Sequence, residues 1–211
     1  MVYPDKSVQS ARRTLWFRVT KAYLERLAGN EILLDDSTTK SELIRLIRTN
    51  CPAIAGEPLI EMLEYEELLD QIVKTPKEEA VPAEMLGLFS EEQWPQLLIE
   101  FQPSFHHVQM SFNTVEQYNK ISSGEPGNEP TKQMSQWIIH NDGNSTIVRK
   151  ITSQQSAIID GLLAQKNLEQ VGEQMGEGIT LETLIIDWLN QGLIIDIGVP
   201  VPDDATYEST P

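Results

Sequence analysis

The sequence is poor in the residues that carry chemistry. It has one cysteine, Cys51, and three histidines in 211 residues. A single cysteine cannot close an internal disulfide, and a reactive or metal-bound one needs histidine or further cysteine around it. In "RTNCPAIAG" it precedes a proline, which points to a small buried side chain at a helix end. No apolar run approaches the roughly 20 residues of a membrane-spanning helix. The N-terminal "MVYPDKSVQSARR" has no apolar stretch after its first charges, so a secretory signal is not expected and a cytoplasmic location is. A glycine-rich phosphate loop and a serine in a nucleophile elbow are both missing; "GEG" at 176–178 reads as a turn between helices.

Positive charge is also scarce. Sixteen Lys and Arg stand against 32 Asp and Glu, a formal net charge of −16. A surface of that sign repels phosphate backbones and favours basic partners. The exception is the N-terminal stretch: Lys6, Arg12, Arg13, Arg18, Lys21 and Arg26 face only Asp5 and Glu25, a local net of +4. From Lys132 onward, four cations meet eleven carboxylates, a net of −7.

What is present is periodic. Leu15, Trp16, Val19, Tyr23 and Leu27 recur at helical spacing within Ser7–Leu27, and Gly29 supplies a stop. A second helix is predicted from Ser37–Ser41 through "ELIRLIR", ending before Pro52. A third opens at Pro58 with "LIEMLEYEELLDQIV", and a capping box at Ser90 and Gln93 predicts a further helix over "WPQLLIEF". After Pro103 the period shortens. "FHHVQMSF" alternates Val108, Met110 and Phe112 against His107, Gln109 and Ser111, the pattern of a half-buried strand, and Asn113 with Glu116 caps a short helix, "TVEQYNKI".

"SQWIIHNDGNSTIVRKIT" then reads as a hairpin, because Asn141, Asp142, Gly143 and Asn144 tolerate the positive φ that tight turns require. Capping boxes at Thr152/Gln155 and Asn167/Gln170 start two more helices; Thr180 caps "LETLIIDWLNQ", and "LIIDIG" is a last strand. Strand, strand, helix, short helix, helix, strand is the order of a winged-helix-like module. The fold class expected is α+β: an α-helical domain over 1–102, a winged-helix-like domain with an antiparallel sheet over 103–199, and a flexible acidic tail over 200–211.

Candidate chemistry is thin. His106 and His107 adjoin, but neighbours on a strand point to opposite faces, and His140 is the third histidine; no metal-ligand spacing results. Glu64, Glu66 and Glu67, like Glu91 and Glu92, sit among apolar residues on helices and read as solvated faces. Trp16, Trp94, Trp137 and Trp188 have core spacing, with Trp137 also suited to an interface. No catalytic residues and no metal are assigned to this chain. Binding remains: a small sheet with an unpaired edge can take a peptide as an added strand, and an acidic domain draws in a basic one.

"EFQPSFHHVQMSFNTVEQYNKI", "SQWIIHNDGNSTIVRKITSQQSAIIDGLLAQKNLEQVGEQM" and "LIIDWLNQGLI" resemble the C-terminal half of the HvfC and BufC family, partner proteins of multinuclear non-haem iron oxidases that act on ribosomal peptides. "RRTLWFRVTKAYLERL" with "NCPAIAGEPLIEMLEYEELL" is similar to a diverged form of that family's helical domain, and the divergence favours the methanobactin-biosynthesis branch.

The resemblance implies a non-catalytic subunit, with no cofactor of its own. It implies two partners: a TIM-barrel multinuclear iron oxidase, which holds the iron and converts cysteines to oxazolone and thioamide groups with O2, and a basic, cysteine-containing precursor peptide. Leader binding is expected at His107, Gln109, Ser111, Gln136, Trp137, Ile138, Ile139 and His140, along one of two candidate edges, "HHVQMSF" or "SQWIIHN". Docking on the oxidase is expected through Arg12, Arg13 and Arg18. The family's other label, a DNA-binding domain, gives the alternative of a winged-helix transcriptional regulator reading DNA with "TLETLIIDWLNQ". The acidic charge of that helix counts against it.

Overall fold

The computed structural model describes residues 17–29, 38–50, 53–173 and 180–200. Leu15, Trp16, Cys51, Arg12, Arg13, the 176–178 turn and most of the acidic tail therefore lie outside the described residues. Helix α1 spans Arg18–Ala28, α2 Lys40–Asn50 and α3 Ala53–Lys74. Two 3-10 turns follow, Ala83–Leu88 and Trp94–Gln96. Then come β1 (Leu98–Phe101), β2 (His106–Phe112), α4 (Thr114–Ser122), β3 (Lys132–Asn141) and β4 (Thr146–Ile151). The chain continues with α5 (Ser153–Leu163), α6 (Leu168–Gly172), α7 (Leu181–Asn190) and β5 (Ile194–Gly198). The class is α+β, with two small antiparallel sheets. Among the described residues no helix is long and apolar enough to cross a membrane.

The described residues divide into two compact units, each drawn from two stretches of sequence: those up to 74 with 108–137, and 75–107 with those from 138 on. This differs from the expected division near residue 102. The chain leaves the first unit after α3, returns to it along β2 to place α4, and leaves again along β3. Sequence order alone does not show such a return.

In the first unit α3 packs against α1, α2 and α4. Val19, Tyr23, Leu43, Ile47, Met62 and Leu63 are buried together there, as their three- and four-residue spacing dictates. Gly29 ends α1 at φ +71°, the left-handed geometry a helix C-terminus commonly adopts. Pro58 lies inside α3 instead of in its first turn, because the helix begins at Ala53. Asn113 does not cap α4; its Oδ1 instead accepts the Thr131 N–H at 2.9 Å.

The second unit is built on β1 and β5, which pair antiparallel with an irregularity between Glu100 and Phe101. Here the predicted helix over "WPQLLIEF" is corrected. Pro95 stops at a single 3-10 turn, and Leu97, Ile99 and Phe101 are buried alternately, the period of a strand. Phe101 stacks on Phe105 (4.3 Å, 11°) and meets Trp188 edge-on (5.5 Å, 72°). Both capping boxes of α5 and α6 are present, and Thr180 caps α7. The last strand, β5, pairs with β1 and not with the hairpin.

Candidate functional site

The hairpin forms as predicted. Gly143 takes φ +98°, Asn141 Oδ1 accepts the Gly143 N–H (2.8 Å), and Asp142 Oδ1 accepts those of Asn144 (2.8 Å) and Ser145 (2.7 Å). The Ser145 and Asn144 N–H groups hold the Asp142 carboxyl below its ordinary value.

The three-stranded sheet has the order β2-β3-β4. This corrects one of the two candidate edges: β3 is central, so the main chain of Ser135–His140 lies between two strands and is no edge. Trp137, Ile138, Ile139 and His140 are all buried. The half-polar alternation of "SQWIIHN" hides a strand covered on both faces. The Trp137 indole N–H donates to Ser135 Oγ at 2.8 Å. His140 is 3% exposed, and burial, then the Arg149 charge, lower its pKa.

β2 is an outer strand of this sheet. The Ser111 N–H donates to Glu61 Oε2 at 2.7 Å, a side chain of α3, so it points away from β3. As an outer strand, β2 has one row of main-chain groups that no neighbouring strand pairs among the described residues. Gln109 is exposed, and its side-chain Oε1 accepts from Gln136 Nε2 (2.9 Å). Glu61 also accepts the Phe112 N–H (3.1 Å) and the Thr114 hydroxyl, tying the end of β2 to α3.

Beside this strand end lies a cleft of about 290 Å³ lined by Glu57, Ile60, Glu61, Glu64, Ser111, Phe112 and Lys132. Glu57, Glu61 and Glu64 recur at spacings of four and three, so they share one face of α3. Glu61 holds the end of β2 and Lys132 also lines the cleft, so Glu57 and Glu64 are the carboxylates that can attract a basic segment beside the outer strand. The sequence carried the signal for these acids in their spacing, but only the fold shows which strand they adjoin.

The remaining expected site residues scatter. His107 is a partly buried member of β2 whose Nδ1 lies 2.7 Å from Asp160 Oδ1 of α5, and burial lowers the pKa of its neighbour His106. Arg18 is exposed at the first residue of α1, and its charge is felt by Glu66.

Glu66 is not the solvated acid that its sequence neighbours suggest. It is 3% exposed and accepts the Val19 N–H (2.8 Å), the Thr20 N–H (3.0 Å) and the Thr20 hydroxyl (2.7 Å). Burial raises its pKa to about 7 against the lowering effect of those hydrogen bonds.

The exposed side of α7 shows Glu182, Thr183, Ile186 and Asp187, with Arg149 3.7 Å from the Asp187 carboxylate. That is an acidic face, unsuited to a phosphate backbone. Among the described residues no group of three or more His, Cys, Asp or Glu is placed to hold a metal ion. No family model matches the chain, and no curated protein matches it either.

Proposed function

We propose that this chain is a non-catalytic recognition subunit. It binds a TIM-barrel multinuclear iron oxidase and captures the leader of a basic, cysteine-containing precursor as an added strand on β2. The oxidase, which carries the iron, then converts precursor cysteines to oxazolone and thioamide groups, as in the making of a methanobactin-type copper chelator. The observation that carries the reading is the outer position of β2, whose end at Ser111 and Phe112 lines a cleft with Glu57, Glu61 and Glu64. Strand addition supplies affinity through main-chain bonds, and the acids select a basic guest.

Two further features support it. The resemblance to the HvfC and BufC family covers both units, and the segment from β3 to β5 keeps the element order of a winged-helix-like module. Docking on the oxidase is assigned to the basic N-terminal stretch with Arg12, Arg13 and Arg18.

The test uses a synthetic basic, cysteine-containing precursor peptide with its leader. Gln109→Pro removes a main-chain N–H from the outer strand β2 and is expected to weaken leader binding by about tenfold in calorimetry. Unchanged affinity would sink strand addition at β2. Stoichiometric iron in the chain purified by itself would overturn the non-catalytic assignment.

A further inference from the structure

The second unit carries a pocket that the proposed leader site does not use. It is an open groove of about 650 Å³ between the Trp94–Pro95 turn and the first turns of α6 and α7. Sites that hold ligands occupy roughly 300–1,000 Å³, so the space is large enough for several side chains. Its walls are Trp94, Pro95, Leu168 and Leu181; the carboxylates of Glu91, Glu169 and Glu182 complete the lining.

The walls are set by backbone bonds and caps. The Trp94 N–H donates to Ser90 O (3.1 Å), and the Leu168 N–H donates to Leu97 O (3.1 Å), which ties the start of α6 to β1. Thr180 caps α7 and so sets Leu181 and Glu182 in its first turn.

Acids in the first turn of a helix are favoured by its dipole, and that accounts for Glu169 and Glu182 one at a time. It does not account for their meeting Glu91 around an apolar floor. Among the described residues none of the three forms an ion pair. Three exposed, unneutralised carboxylates around tryptophan and leucine match a segment that brings cations and bulky apolar side chains together, with the Trp94 ring able to take a cation on its face.

We infer that this pocket docks a basic, apolar peptide segment of a partner protein, with aliphatic or aromatic side chains against Trp94, Leu168 and Leu181 and Lys or Arg against Glu91, Glu169 and Glu182. It is a second recognition surface and does not rest on leader capture at β2. Loss of leader binding in Gln109→Pro and loss of binding at this pocket are read with different probes.

The experiment is fluorescence anisotropy of the full chain with a dye-labelled peptide of alternating Lys and Leu, beside alternating Lys–Ser and Glu–Leu peptides. The Lys–Leu peptide is expected to bind at least about tenfold more tightly than either. Glu169→Lys with Glu182→Lys, both exposed, is expected to weaken it by about tenfold, and Leu181→Ser by about fivefold. Glu125→Lys with Glu129→Lys, exposed in the first unit, makes the same change in net charge and is expected to shift binding less than about twofold. Three outcomes overturn the proposal: no binding of the Lys–Leu peptide, equal binding of the Lys–Ser peptide, or equal weakening by the two charge-reversal pairs.

Discussion

The two units bury a polar side chain in opposite ways. In the first, Glu66 is an ionisable group held by two main-chain N–H donors and a threonine hydroxyl. In the second, Gln102 is neutral and fully matched: its Nε2 donates to Glu78 O (3.0 Å) and Gly192 O (3.1 Å), and its Oε1 accepts the Glu78 N–H (3.0 Å). Burial penalises charge far more than it penalises a satisfied amide. Glu66 thus gives the first unit a stability that falls as pH rises, a dependence that the neutral Gln102 does not add to the second.

The largest perturbation is expected in the second unit. Trp188 is 1% exposed and sits against Phe101, so Trp188→Ala should cost about 3–5 kcal/mol in urea unfolding. A loss under 1 kcal/mol would mean the aromatic cluster is not what holds β1 to α7.

Next is Glu66→Ala, which strands two buried N–H groups and the Thr20 hydroxyl, at about 2–3 kcal/mol. The pH dependence has a definite sign. The carboxyl rises from 4.5 in the unfolded chain to about 7 in the folded one. The folded state therefore holds its proton more tightly. Stability from this group is greatest below pH 4.5 and is lost as pH climbs through about 7. Amide exchange in α1 should show that loss in wild type and not in Glu66→Gln, while Gln102 variants leave the pH profile unchanged.

Thr152→Ala removes the α5 capping box and should cost about 1 kcal/mol by thermal unfolding. Smallest is Lys21→Ala. Its pair with Glu25 at 2.8 Å lies on the surface of α1, and stability should move by no more than about 0.5 kcal/mol.

Local signals were legible wherever the chain answers to its nearest neighbours. The hairpin turn at Gly143, the caps at Thr152, Asn167 and Thr180, and the stop at Gly29 each depend on residues within four positions, so the sequence shows them directly. "WPQLLIEF" misled because its apolar residues satisfy either period, and its partner, Ile194–Gly198, lies almost a hundred residues on. Glu66 misled because nothing in "EYEELL" distinguishes the acid facing the α1 backbone from those facing water. At the candidate site the sequence offered two strands and no means of choosing the outer one. Gln109 and Ser111 were picked out by alternation, but Trp137–His140 have the same alternation and are buried between two strands.

Composition, charge and short-range pattern by themselves settle that this chain is acidic, rich in helix and turned by one well-signalled hairpin. They do so because net charge, helix caps and turn conformations are properties of short stretches. Which strand lies outermost, which glutamate is buried, and which carboxylates gather around Trp94 were decided only when distant segments packed. Strand order and burial are set by the pairing of residues far apart in the chain, and no local window contains both partners.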